Sequence, residues 1–174
     1  MDRRTGRTAE ACTMNRTGNY FTTLVGSFML AIVLTFIPVP HWAEPYRPEW
    51  LMLVTIYWGM HTPNKFSLGS AWLAGLTLDV LRGALLGQHA LGFAITAFLA
   101  IRLHQRVRVY PIHQQALFVG MIMLPYMSVT LWIYGALSQS TDSWLYWMPV
   151  ITSTACWPIV VLGIRATGYA RELA

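Results

Sequence analysis

The sequence is poor in charge and nearly without cysteine. Of 174 residues only 11% are Asp, Glu, Lys or Arg, against 55% hydrophobic, and the two cysteines stand far apart at positions 12 and 156. Soluble domains carry roughly 25% charged residues, so this chain lacks the polar surface of an ordinary water-soluble protein. Two isolated cysteines build no disulfide framework, and the hydrophobic excess excludes a disordered chain. Catalytic signatures are missing as well: there is no G-x-S-x-G elbow, no P-loop and no H-E-x-x-H pair. The five histidines (41, 61, 89, 104, 113) never fall at metal-ligand spacing beside a carboxylate. No enzyme, metal or cofactor is expected.

What the chain does have is long runs without formal charge: Thr17 to Ala43, Gln114 to Thr141, and Ser143 to Ile164. A soluble amphipathic helix interposes a polar face, whereas a membrane span is apolar on every side for about 20 residues. The fold class read from this is all-α, a polytopic membrane helical bundle. The first run, Asn19 to Val39, is too long for the apolar region of a signal peptide, and no small-residue cleavage site follows. It reads as an uncleaved span, with Met1 or Met14 as the start. Pro40, Pro45 and Pro48 break the next stretch into a loop. A short apolar segment, Trp50 to Met60, then ends at His61 to Asn64. Phe66 to Ile101 would measure about 54 Å as one helix, against a hydrocarbon core of about 30 Å. It must fold back, and Arg82, Gly83 and Gly87 mark the place, giving helices over Phe66 to Leu81 and Leu85 to Ile101. A basic loop, Arg102 to His113, leads to a fifth span (Gln114 to Leu137) and a sixth (Ser143 to Ile164).

Six spans predict that both termini lie in the cytoplasm, because short cytoplasmic loops collect Lys and Arg. That orientation puts Arg3, Arg4, Arg7, Arg16, Lys65, Arg102, Arg106, Arg108, Arg165 and Arg171 inside, and only Arg47 and Arg82 outside. Fusing the second and third segments would move five of these arginines outside. Trp42, Tyr46 and Trp50 join Trp144, Tyr146 and Trp147 at the same expected outer interface. The chain thus divides into a basic cytoplasmic tail (1–18), a six-helix transmembrane domain (19–164) and a cytoplasmic tail (165–174). The net charge of +5 is accounted for by topology and anionic lipid, with no nucleic acid implied.

The most informative segment is Leu78 to Leu91, LDVLRGALLGQHAL. An ionised Asp79 within the membrane costs about 2.5 to 3.5 kcal/mol unless it is paired, protonated or beside water. Arg82, three residues on, is placed to pair with it along one helical face. Gly83 and Gly87 permit a tight reversal, and Gln88 and His89 carry donors and acceptors into the next helix. Two uses of the cluster compete: a satisfied polar plug that holds the hairpin, or a cavity or docking surface open to the outer side. Ser67, Ala71 and Gly75 repeat every fourth position, which allows close helix approach, chiefly within the bundle. Pro125, Pro149 and Pro158 imply kinks, and Met121, Met123 and Met127 read as lipid-facing or core filler.

On these residues the chain resembles the MreD family, the bacterial rod-shape-determining inner-membrane proteins. The resemblance runs from Met14 onward: a short basic N-terminus, the first span, Pro48-Glu49-Trp50 leading to Tyr57 and Trp58, the D-x-x-x-G-x-x-x-G-Q-H-A-L pattern from Asp79 to Leu91, and the RLHQR run from Arg102 to Arg106. It implies a non-enzymatic scaffold of the machinery that elongates the lateral cell wall. The partners it implies are the bitopic protein MreC and, through it, actin-like MreB filaments and peptidoglycan synthases. Docking candidates are then Pro48, Glu49, Trp50 and Tyr57, with Asp79, Arg82, Gly83, Gly87, Gln88 and His89 beside them. Arg102, Arg106 and Arg108 are the cytoplasmic candidates, facing lipid or filament. The family is also similar to the substrate-binding membrane subunits of energy-coupling vitamin transporters, which keeps open a second reading, a subunit that binds a small molecule or lipid carrier in the same polar cluster.

Overall fold

In the computed structural model, which describes residues 4–136 and 144–166 and side chains from Tyr20 onward, the described chain is helical with no strand. Six α-helices follow one another: α1 (Arg4–Phe36), α2 (Trp50–His61), α3 (Leu68–Arg82), α4 (Gln88–Val107), α5 (Ile112–Ala136) and α6 (Met148–Ala166). Two 3-10 turns, His41–Tyr46 and Leu145–Trp147, lead into α2 and α6. The segment 137–143 and the C-terminal tail fall outside the described residues, as do the side chains of the basic N-terminal tail.

At the core lies α2. Every residue from Leu51 to Met60 is buried, as a helix that is hydrophobic all round should be. It is flanked by α1, α4 and α6, while α3 packs on α4, α4 on α5 and α5 on α6. Twelve residues give α2 a length of only about 18 Å, too short to cross a bilayer unaided. Polar ties hold it in place. The Trp58 Nε1–H donates to Ser27 Oγ of α1 at 2.9 Å, and the Glu49 backbone N–H donates to Ser153 Oγ of α6 at 2.9 Å. Two helices, Ile112–Ala136 and the stretch Leu145–Ala166, are long and apolar enough to span a membrane, and Tyr20–Phe36 is a shorter apolar helix.

Small residues set the close approaches. A Cβ at Gly75 would collide with the Ala90 backbone, one at Gly92 with the Tyr126 ring, and one at Gly120 would sit 2.6 Å from Thr154 Oγ1. The small-residue line of α3 therefore serves packing inside the bundle. Ser67, its first member, is the N-cap of α3, its Oγ accepting from the Ser70 N–H at 3.3 Å.

Several expected boundaries move. The basic segment after Ile101 is not a loop at first but the last turns of α4, because Leu103 and Val107 continue the packed face while Arg102 and Arg106 stay exposed. Arg108 is the C-cap. Pro149 lies in the first turn of α6, where a missing N–H breaks no helical bond. Met123 and Met127 are core, whereas Met121 is 58% exposed.

Because successive helices alternate in direction, the bundle has two chemically different ends. One gathers the C-termini of α1, α3 and α5 with the N-termini of α2, α4 and α6; it carries Glu44, Arg47, Glu49, Asp79 and Arg82. The other carries Lys65, Arg102, Arg106, Arg108 and Arg165 together with the start of α1, which adds Arg4, Arg7, Glu10 and Arg16.

Candidate functional site

The reversal between α3 and α4 is built by two glycines and one carboxylate. Gly83 (φ 61°) ends α3 and Gly87 (φ 101°) starts α4, both in the left-handed region where a side chain would be strained. Gly87 has no side chain with which to cap the helix it begins. The first turn of any helix leaves backbone N–H groups without partners, and here Asp79, one turn before the end of α3, supplies the missing acceptor. Its Oδ2 accepts from the N–H of Gly87 at 2.9 Å and of Ala90 at 3.4 Å, and its Oδ1 from the N–H of His89 at 2.9 Å. The carboxylate is completely buried. It caps α4 from the neighbouring helix, and its negative charge meets the positive end of the α4 dipole.

Asp79 makes one further contact, to His89 Nδ1 at 2.7 Å. The other ring nitrogen, Nε2, lies 3.3 Å from Arg82 Nη1. An ionised carboxylate accepts only and a guanidinium donates only, which places the ring proton on Nδ1 and leaves Nε2 to accept. Arg82 then reaches α2: its Nη1 and Nη2 lie 3.3 to 3.4 Å from the Glu49 carboxylate oxygens. A relay, Asp79 to His89 to Arg82 to Glu49, thus ties the ends of α2, α3 and α4 together. The expected pairing of Arg82 with Asp79 does not occur. Asp79 is turned toward the start of α4 and its acceptors are filled there, so Arg82 finds its counter-ion across the bundle.

Beside this relay opens a cleft of about 330 Å³. Glu49, Arg82 and His89 form one wall; Tyr126, Thr130 and Tyr134 of α5 form a second. Pro45, Tyr146 and Pro149 close the remainder. The Tyr146 hydroxyl donates to the Met127 carbonyl at 2.9 Å, and the Tyr146 and Tyr134 rings meet edge to face at 6.4 Å. Arg47 steadies the loop above by donating to carbonyls at the end of α1, Thr35 O at 2.6 Å and Ile37 O just beyond the helix.

The other sequence-derived candidates divide. Pro48 and Trp50 are half-buried beside Glu49. Gln88 is buried, and its Nε2 has no hydrogen-bond partner among the described residues. Tyr57 is not at a surface: it is 2% exposed, stacked on His61 at 4.1 Å and packed against Trp58 and Trp157. Its place in the middle of α2, enclosed on all sides, makes it core and not a docking residue. Arg102, Arg106 and Arg108 lie at the opposite end of the bundle, exposed, with Arg102 over the Phe98 ring. Sequence reasoning missed Tyr126, Thr130 and Tyr134, and took Tyr146 only as an aromatic of the outer interface. No motif in the fifth span marks the first three, and only the packing of α5 against α4 turns them toward Arg82.

Among known families, residues 15–166 match the model described as rod shape-determining protein MreD. The chain belongs to the MreD family. Rod shape-determining protein MreD of Haemophilus influenzae is 29% identical over 143 residues, which covers 82% of this chain and 88% of that one. No solved structure matches. Membership places the chain in the rod-shape system and, with its two long apolar helices, marks it as a membrane protein. The Asp79 to Leu91 segment that carried the resemblance is the segment that builds the reversal, the trans cap and three of the four members of the relay.

Proposed function

We propose that this MreD-family chain is a non-enzymatic scaffold of the cell-wall elongation complex, a six-span protein of the bacterial inner membrane with both termini in the cytoplasm. The end that carries the cleft faces outward and docks an MreC-like bitopic partner. The arginine-rich end faces the cytoplasm, where Arg102, Arg106 and Arg108 meet anionic lipid and, through the assembly, MreB-like filaments. The observation that carries this reading is the Glu49–Arg82 pair at the mouth of a tyrosine-lined cleft, set on a relay that fixes three helix ends. The unequal charge of the two ends supports the orientation.

Depletion of the protein tests the role. Rod-shaped cells should round up, and co-purification of the bitopic partner should fall when Arg82 is replaced. The cleft volume also supports a second reading, a subunit that binds a small molecule or lipid carrier, since about 300 Å³ is the lower size of a ligand pocket. Cells that keep their shape and lose uptake of one nutrient would favour that alternative.

A further inference from the structure

The cleft holds one cation and one anion side by side. The Arg82 side chain is 32% exposed and the Glu49 side chain 13%, and their contacts of 3.3 to 3.4 Å are longer than the 2.7 to 2.9 Å of a tight charge-assisted bond. The pair leaves guanidinium N–H donors and carboxylate lone pairs to spare. Its formal charges cancel, and the nearest further charge, Asp79, is negative and already meets three backbone N–H groups. An anionic phosphate entering here would meet one shared guanidinium against two carboxylates. A peptide group fits the pair better, having one N–H to donate to Glu49 and one carbonyl to accept from Arg82.

The rest of the lining agrees. Tyr134 and Tyr146 offer rigid aromatic area with polar tips, the chemistry by which protein surfaces hold peptide segments at low entropic cost, with the buried Tyr126 behind them, and Pro45 and Pro149 add stiff apolar contact. We propose that this cleft receives an uncharged segment of the partner protein, one or two apolar or aromatic residues long, with one of its backbone amides bridging Glu49 and Arg82. This rests on the docking reading above and deepens it by naming what is docked.

The test uses the full chain in nanodiscs with its full-length bitopic partner. Glu49→Gln should weaken the partner's Kd about tenfold, because an amide oxygen replaces a charged acceptor; a site for an anionic lipid phosphate would respond in the opposite direction and tighten when the carboxylate is removed. Leu145→Trp, at a rim position 45% exposed and therefore tolerant of bulk, should abolish binding while leaving the melting temperature of the chain unchanged. A p-benzoylphenylalanine introduced at Tyr134 should crosslink to the partner polypeptide. Unchanged or tighter binding by Glu49→Gln, or crosslinking to lipid alone, overturns the proposal while leaving partner docking intact. Failure of the wild-type chain to hold the partner overturns the docking reading itself, and this proposal with it.

Discussion

Replacing Asp79 puts the trans cap to a quantitative test. The carboxylate is fully buried and accepts the N–H groups of Gly87, His89 and Ala90 and the Nδ1–H of His89. Asp79→Ala removes every one of these acceptors and leaves a helix start and an imidazole unsatisfied. A buried donor without a partner costs about 1 to 3 kcal/mol, and a hydrogen bond to a charged group contributes about 1.5 to 3 kcal/mol. Because Asp79→Ala leaves several such donors unmet at once, a cost of about 3 kcal/mol, the top of these ranges, is expected. Asp79→Asn keeps one oxygen for the two His89 donors but turns an NH₂ toward the N–H groups of Gly87 and Ala90, so it should cost about 2 kcal/mol. Thermal unfolding in mild detergent, followed by fluorescence-detected size exclusion, should rank wild type above Asn above Ala, with Ala lower by on the order of 10 °C. Membrane abundance should fall in the same order. Melting unchanged in Asp79→Ala, with loss of partner binding alone, would refute the cap and return Asp79 to the docking surface.

Other outcomes follow from the same geometry. Gly75→Ala should push α4 away from α3 through the Ala90 backbone and destabilise the protein by about 1 to 3 kcal/mol, measured in the same unfolding assay. Tyr57→Ala should cost about 3 to 5 kcal/mol as a core truncation, so that any loss of partner binding tracks lost folded protein and disappears when binding is normalised to it. In intact cells a cysteine at Glu44 should react with an impermeant maleimide and one at Arg106 should not before lysis; labelling at Arg106 from outside would sink the six-span orientation.

The sequence carried the broad architecture well because membrane insertion is written in one dimension. Uncharged runs, proline breaks and the placement of arginines each act locally, and α5, α6 and the Gly83–Gly87 reversal appear close to where those signals lie. The end of α4 was harder to place. Arg102 and Arg106 looked like loop residues, yet Leu103 and Val107 hold the helix to the core beneath them, and a charge on the exposed side of a helix end does not break it. Partner choice inside the cluster was not legible at all. The i, i+3 spacing placed Asp79 and Arg82 together, but spacing along one helix says nothing of a second helix that begins without a side-chain cap. The unmet N–H groups at the start of α4 compete for Asp79 more strongly than one half-solvated arginine does, and this competition exists only after the hairpin has closed. Likewise Tyr57 and Trp50 look equivalent in an apolar segment, and only the enclosure of α2 by α1, α4 and α6 separates the core residue from the one near the mouth.

The distribution of charge between the two ends gives the fold a division of labour. At the cleft end, the described charges other than Glu44 are engaged in holding secondary structure: Arg47 on the carbonyls of α1, Asp79 on the amides of α4, and Arg82 and Glu49 on each other across three helices. Such an end is stiff, because moving any one helix breaks a contact that another helix end depends on. At the opposite end Arg102, Arg106, Arg108 and Arg165 are exposed at the surface. Exposed cations are weakly directional and strongly screened, suited to a lipid surface or a mobile filament and poorly suited to fixing register. On the docking reading proposed above, specific recognition belongs at the cleft, where the donors are preorganised, and Asp79 and His89 act there from behind, keeping Arg82 and Glu49 in place to meet a partner.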